Sequence, residues 1–183
     1  MGTVRQLRHR IHWSLRGAGW LMAAVVATVV IGVIVIRHSD AAITPWSSAN
    51  MTAITSGSTH SCGIDAGKAY CWGNGLSGQL GSGSSTQSLI ATPVATSTGL
   101  AGKTVTAISA GGYHTCAIAS GTVYCWGLNT NGQLGNGTTT KSQVPVAVNT
   151  SGVLAGKAVT GITVGAFHSC AIADSRAYCW GLN

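Results

Sequence analysis

Acidic residues are nearly absent from this chain. Its 183 residues include three aspartates and no glutamate, and charged residues make up only 7% of the sequence. Beyond residue 40 the acids are Asp65 and Asp174, each in or beside a predicted hairpin turn, which argues against hydrolysis by paired carboxylates. No motif marks a nucleophile either. We therefore expect no catalytic site, no cofactor and no bound metal.

The basic residues are unevenly placed. Ten lysines and arginines give a formal net charge of +7, and five of the arginines lie in residues 1–40, beside an apolar segment. The other five cations are scattered along residues 41–183 and form no cluster. Nucleic-acid recognition usually needs a basic patch or stripe. We therefore expect no nucleic-acid partner.

Residues 17–36 are a 20-residue run without a charged side chain. At 1.5 Å per residue, a helix of this length spans about 30 Å, the thickness of a bilayer core. Four arginines precede the run and one follows it, so the positive-inside rule keeps the N-terminus in the cytoplasm. We predict a cytoplasmic arm at 1–16, a single transmembrane helix at 17–36 and a linker at 37–49.

A cleaved signal peptide is the alternative interpretation of the apolar run. Small residues at Ser39 and Ala41 suit cleavage, but the run exceeds the 7–15 residues typical of a signal sequence. Both interpretations export the remainder of the chain. The predicted location is the cell membrane, single-pass, with residues beyond the run on the extracytoplasmic side.

The exported part repeats one phrase three times. His60-Ser-Cys, His114-Thr-Cys and His168-Ser-Cys are each followed by Tyr-Cys-Trp-Gly, at a constant step of about 54 residues. A fixed period indicates stacked units that bury their apolar faces against their neighbours. The predicted units are repeat 1 at 50–103, repeat 2 at 104–157 and a partial repeat 3 at 158–183.

The cysteines of each repeat face each other across a predicted hairpin. A two-residue turn at Ser120-Gly121 places Cys116 directly opposite Cys125, at a non-hydrogen-bonded site where strands approach closely. Disulfides are expected in an exported chain with an even number of cysteines. The predicted bridges are Cys62–Cys71, Cys116–Cys125 and Cys170–Cys179.

A metal site is the alternative role for these cysteines, because each repeat offers one histidine and two cysteines. Three ligands are one short of a closed tetrahedral zinc site, so disulfides are favoured. The other repeated residues are predicted to be structural, since a catalytic group is needed only once. The histidines should form hydrogen bonds inside each blade, and the tryptophans should pack between blades, with Trp180 poorly covered because no blade follows it. These residues are His60, His114, His168, Trp72, Trp126, Trp180, Gly73, Gly127 and Gly181.

The phrase Gly-Tyr-His-Thr-Cys-Ala-Ile-Ala at 112–119, with Tyr-Cys-Trp-Gly and Gly-Gln-Leu-Gly after it, resembles the regulator of chromosome condensation repeat family. The cysteine pair is similar to that of exported bacterial members. The resemblance implies an all-β fold, a β-propeller whose blades hold about four short strands. Pro93 and Pro145 restrict their runs to edge strands or strand starts.

About two and a half repeats are too few to close a propeller, which needs roughly four to eight blades. We therefore expect a fragment of a longer propeller, with self-assembly of several chains as the alternative. The predicted function is a non-catalytic, membrane-anchored recognition module, and its partner is an extracellular protein or glycan. The alternatives are the non-catalytic part of a larger surface enzyme, or a propeller similar to a secreted enzyme inhibitor.

Overall fold

The computed structural model describes residues 51–149, 151 and 154–182, which form strands and turns without a helix. Within this part of the chain, no helix is long and apolar enough to cross a bilayer. The predicted arm at 1–16, transmembrane helix at 17–36 and linker at 37–49 lie outside the described residues. The strands are β1 (Met51–Ser56), β2 (His60–Asp65), β3 (Lys68–Gly73), β4 (Ser88–Pro93), β5 (Val105–Ala110), β6 (His114–Ala119), β7 (Thr122–Gly127), β8 (Ser142–Ala147), β9 (Val159–Val164), β10 (His168–Ala173) and β11 (Arg176–Gly181).

These strands form three antiparallel sheets, and each sheet takes its strands in chain order. Blade 1 is β1–β4, blade 2 is β5–β8 and blade 3 is β9–β11. The proline-containing strands β4 and β8 lie at sheet edges, as predicted, where a missing N–H removes no ladder bond. The all-β architecture built of repeated blades is confirmed.

Blade 3 is more complete than its length suggests. Residues 158–183 are less than half of a repeat, yet they supply three of the four strands of a blade. The reason is that the long loop of each repeat, at 74–87 and 128–141, comes after the third strand. The described residues therefore hold eleven strands, and three blades of four strands each would lack only one more.

The two ends of the blades differ in their connections, because antiparallel strands send successive turns to opposite ends. We call the hairpin end the one that carries the two-residue turns and the connections between blades. We call the loop end the opposite one. The hairpin end comprises 66–67, 94–104, 120–121, 154–158 and 174–175; the loop end comprises 57–59, 74–87, 111–113, 128–141 and 165–167.

The apolar core lies between the blades. One cluster joins Ile64 and Leu80 of blade 1 to Trp126 of blade 2, and a second joins Ile118 of blade 2 to Ala171 of blade 3. Each blade thus buries one sheet face against the next, as a repeat architecture requires.

The three hairpin turns differ at their second position. Both turn residues have positive φ in each hairpin, as in a type I′ turn, and the second is Gly67 or Gly121 in blades 1 and 2. Blade 3 instead has Ser175, at φ 59°. A side chain in this left-handed region costs about 1–2 kcal/mol, part of which glycine's unfolded-state entropy offsets.

Ser175→Gly should therefore stabilise the chain by about 0.5–1 kcal/mol. Gly121→Ser, the reverse change in blade 2, should destabilise it by a similar amount. Urea midpoints of the two variants would measure both effects. A shift in the same direction for both variants would contradict the turn argument.

Candidate functional site

The predicted disulfide partners are joined in the structure. Cys62 bonds to Cys71, Cys116 to Cys125 and Cys170 to Cys179, and each pair has a Cα–Cα distance of 4.1 Å. The register places the two cysteines of each pair directly opposite each other. A sulfur in a disulfide is not a thiolate ligand. Within residues 51–149, 151 and 154–182, no group of three or more potential ligands is placed to hold a metal ion.

The three disulfides differ in their access to solvent. The cysteines of blades 1 and 2 are fully buried, whereas Cys179 is exposed and Cys170 is half-buried. A reductant must reach a sulfur to attack it. We therefore expect dithiothreitol to reduce Cys170–Cys179 first.

The order of reduction can be read by alkylation and peptide mass spectrometry at increasing reductant concentrations. Loss of all three bridges together in the folded chain would contradict the expectation.

Two of the repeated histidines, His60 and His114, bond between blades and not inside their own blade, so that part of the sequence interpretation was wrong. His60 Nε2 lies 2.7 Å from Thr115 Oγ1, and His114 Nε2 lies 2.9 Å from Ser169 Oγ. Each pair is 55 residues apart. The imidazole therefore ties one blade to the following blade.

The hydroxyls fix the histidine tautomer. Thr115 donates its only hydroxyl proton to the Gln79 carbonyl at 3.0 Å, and Ser169 donates to the Gln133 carbonyl at 2.9 Å. The hydroxyl oxygen must then accept from Nε2–H of the histidine. Nδ1 of His60 and of His114 is buried without a hydrogen-bond partner among the described residues.

Burial keeps these imidazoles neutral. Desolvation lowers the pKa of His60 to about 4. Desolvation, together with the neighbouring His60 and His168, lowers the pKa of His114 to about 4. His168 has no following blade among the described residues and is half-buried. His60 and His114 therefore act as neutral donors within the core.

The tryptophans pack on the preceding blade. Trp126 Nε1 donates to the Gln79 carbonyl and Trp180 Nε1 to the Gln133 carbonyl, each at 2.9 Å. Trp180 is thus held by blade 2 and not by a following blade, but it is only half-buried, as expected, whereas Trp126 is fully buried. Trp72 is the tryptophan with no preceding blade in the described part of the chain, and it is half-buried.

Glycine is required where each indole meets the preceding turn. Gly81 has φ +67°, and a Cβ there would lie 2.7 Å from Trp126 Nε1. A Cβ at Gly135 would likewise lie 2.6 Å from Trp180 Nε1. The tryptophan of each following blade therefore packs directly against the Gly-Gln-Leu-Gly turn of the blade before it.

The glycine after each tryptophan has a different structural role. Gly73, Gly127 and Gly181 have φ between +100° and +107°. A Cβ at Gly127 would lie 2.7 Å from the Cα of His114. These glycines let the third strand of a blade approach the second at its loop end.

The outer face of blade 3 is open among the described residues. Ile172 is 49% exposed, whereas the equivalent Ile118 of blade 2 is 3% exposed. A separate groove of about 360 Å³ lies beside β11 on the opposite face of blade 3, at the border of its interface with blade 2. Val148, Leu154 and Trp180, which line this groove, belong to the apolar cluster between the two blades.

The loop end carries an exposed aromatic pair that the sequence interpretation missed. Tyr113 is 38% exposed and Phe167 is 36% exposed, and their rings stack with centroids 6.3 Å apart. Each residue immediately precedes a repeated histidine, and the same position in repeat 1 is Thr59. The available signal was this variable residue inside a repeated phrase.

The loops around this pair are held by buried amides. Asn129 is fully buried and donates to the carbonyls of Thr138 and Thr140, at 2.9 and 3.0 Å. Its Oδ1 accepts from the backbone N–H of Leu134 at 2.9 Å. The loop at 128–141 is therefore anchored at its centre and presents Ser, Thr and Asn side chains.

The two ends of the blades differ in the number of charged residues that they carry. At the loop end, Lys141 is the single lysine, arginine or acid among the described residues. The other six lie at the hairpin end or in the strand residues next to its turns: Asp65, Lys68, Lys103, Lys157, Asp174 and Arg176. Aromatic enrichment with few charges characterises the core of protein interfaces. The loop end is therefore the candidate binding surface.

The regulator of chromosome condensation (RCC1) repeat matches residues 66–118 and 120–172, which is more than half of the chain. The chain belongs to the RCC1 repeat family. Each matched RCC1 unit begins near a hairpin turn, so it spans the second half of one blade and the first half of the next. A second description of the same repeat matches residues 105–133.

Known relatives match through these RCC1 repeats. The E3 ubiquitin-protein ligase HERC2 of Homo sapiens is 39% identical over 112 residues, which are 61% of this chain and 2% of HERC2. Protein pim1 of Schizosaccharomyces pombe is 36% identical over 123 residues, 63% of this chain and 22% of pim1. The chain thus spans a small part of each relative.

Two solved structures share the fold. Human WBSCR16 has a TM-score of 0.66 and 24% identity, covering 73% of this chain and 33% of that one. Prp20p of Saccharomyces cerevisiae has a TM-score of 0.57 and 21% identity, covering 72% of this chain and 33% of that one. These likenesses place the three blades as part of an RCC1-type propeller.

Proposed function

We propose that this chain is a membrane-anchored, extracytoplasmic recognition module that binds a protein partner through its loop end. The observation that carries the proposal is the stacked Tyr113–Phe167 pair, exposed on a surface that holds one charged residue in the part of the chain the structure describes. Aromatic side chains supply large contact area at low entropic cost and are enriched among residues that dominate binding energy.

A protein is preferred to a glycan as the partner because an exposed aromatic pair on a surface with few charges is typical of the core of a protein interface. The yeast neighbour Prp20 is described in complex with Kap60 and by its binding to Gsp1p and histones, so the fold supports protein binding.

Extracytoplasmic anchoring is supported by the sequence. The uncharged run at 17–36, the arginines before it and the three disulfides of the blades all fit export. Protease added to intact cells should remove the blades while the cytoplasmic arm stays protected. Cleavage of the arm with protection of the blades would overturn the orientation.

The binding surface can be tested by photo-crosslinking the full chain on intact cells. Benzoylphenylalanine would replace Tyr113 or Phe167, and Ile90, exposed at the edge strand β4, is the matched control site. We expect one protein adduct from positions 113 and 167 that is absent from position 90. In a second experiment without the photo-crosslinker, Tyr113→Thr with Phe167→Thr, which copies Thr59 of repeat 1, should abolish co-purification of that partner with the full chain.

The same experiments have outcomes that oppose the proposal. Equal adducts from all three positions, a glycan adduct, or co-purification unchanged by the double variant would overturn the loop end as a protein-binding surface.

A further inference from the structure

One asparagine in the long loop of blade 2 lies in an acceptor triplet for N-linked glycosylation. Asn136-Gly137-Thr138 fits the pattern Asn-x-Ser/Thr with a middle residue other than proline. The pattern occurs twice more in the chain, at Asn50 and at Asn149, but each of those triplets includes a residue outside the described part of the chain. Asn136 is therefore the acceptor whose whole triplet the structure describes.

The side-chain carboxamide of Asn136 is held in one orientation. Its Oδ1 accepts from the backbone N–H and the hydroxyl of Thr138, at 3.1 and 2.9 Å, and from Asn129 Nδ2 at 3.2 Å. Because the oxygen faces these donors, Nδ2 takes the other position of the carboxamide. Nδ2 makes no hydrogen bond among the described residues, and it is not one of their buried polar atoms without a partner. The nitrogen that would carry a sugar therefore reaches solvent.

The residues that follow Asn136 leave room for an oligosaccharide. Residues 137–140 are all exposed and uncharged. A Cβ at Gly137 would have one neighbour within 4 Å among the described residues, Asn149 Nδ2 at 3.8 Å. N-linked glycans are bulky and occupy the protein surface. This part of the loop has the space that such a glycan needs.

The turn itself does not require asparagine. Repeat 1 has Ser82-Gly83-Ser84 at the same place. Gly83 and Gly137 have φ of 89° and 79°, and in repeat 1 the hydroxyl of the first residue lies 3.2 Å from the hydroxyl of the third. The two turns are thus alike, and Asn136→Ser copies a turn that the chain already forms.

We propose that Asn136 is an acceptor for an N-linked oligosaccharide. The proposal rests on the proposed export of the blades, because such acceptors belong to exported chains. In the transfer, Asn136 Nδ2 forms a bond to the anomeric carbon of the first sugar of a lipid-pyrophosphate-linked oligosaccharide. The bond from that carbon to the phosphate oxygen breaks, its electron pair leaves with the pyrophosphate, and one amide proton goes to a base of the transferring enzyme. The Thr138 hydroxyl distinguishes Asn136 from Asn131, which is followed by Gly-Gln.

Peptide mass spectrometry of the full chain, purified from its own cells, tests the proposal. Fragmentation that leaves sugars on their residues locates each glycan, and we expect one on Asn136. Asn136→Ser and Thr138→Val should each remove it completely. Thr138→Ser keeps the hydroxyl and should retain the glycan, as should Asn131→Ser in the same loop. The three disulfides, read from the same peptides without reduction, show that each variant folds.

Several results would overturn the acceptor. These are an unmodified Asn136, sugars on the threonine hydroxyls of residues 138–140 in its place, and a glycan on Asn136 that survives Thr138→Val. Occupancy of Asn50 or Asn149 alone would also overturn it.

Protease added to intact cells separates this proposal from the export on which it rests. Blades that resist the protease in intact cells but are cut in permeabilised cells overturn both the export and the acceptor. Blades that are cut in intact cells and carry no glycan on Asn136 overturn the acceptor alone.

Discussion

Trp126→Ala should lower the free energy of unfolding by about 3–5 kcal/mol. Trp126 is fully buried between blades 1 and 2, against the Gly81 turn. Its truncation removes the largest fully buried side chain of that interface and leaves a cavity that the surrounding strands cannot fill. It also removes one of the two donors to the Gln79 carbonyl.

The chain supplies its own controls for this change. Trp72→Ala removes the same side chain from a half-buried site that has no preceding blade among the described residues, and should cost about 1–2 kcal/mol. Trp180→Ala should fall between the two, because Trp180 keeps its bond to Gln133 but borders an open groove. Urea unfolding with unchanged m-values would measure the series. Equal losses for Trp72 and Trp126 would contradict packing on the preceding blade.

Acid should destabilise the blades mainly through two histidines. The pKa of His60 and of His114 is lowered from 6.5 to about 4 in the folded chain. The unfolded chain therefore binds more protons between these values, and stability falls as pH decreases from 6.5 to about 4. Above pH 6.5 the contribution is fully present, and below about 4 it is lost. Each histidine should account for about 3 kcal/mol.

Urea midpoints at about pH 7.5 and about pH 4.5 would measure this effect. His60→Gln with His114→Gln should flatten the pH dependence, because glutamine keeps a donor for the hydroxyls of Thr115 and Ser169 and does not titrate. His168→Gln is the matched control and should retain the dependence. A pH dependence unchanged in the double variant would place the acid sensitivity elsewhere.

Local geometry explains why the hairpins were predictable from sequence. A two-residue turn fixes the register of its two strands, so the positions of Ser120 and Gly121 were enough to place Cys116 opposite Cys125. Pro93 and Pro145 likewise indicated edge strands, because proline has no N–H to donate to a neighbouring strand. Each of these inferences depends on residues within about one strand length of each other.

The candidate binding surface was not predictable in the same way. Tyr113 and Phe167 are 54 positions apart in the chain and meet because two blades stack side by side. The separation of six charged residues from the loop end also appears only when the strand directions are known. The sequence predicted a recognition module, but it did not identify the aromatic residues of the loop end.

By itself, the sequence determined the period, the all-β blade, the hairpin register and the family. Tertiary structure decided the direction in which each repeat acts on its neighbours. His60 reaches forward to Thr115, whereas Trp126 reaches back to Gln79, across separations of 55 and 47 residues. A constant period shows that successive units are equivalent, but it does not show whether a side chain contacts the preceding or the following unit. That direction is set by the face of the sheet on which each side chain lies and by which blade covers that face.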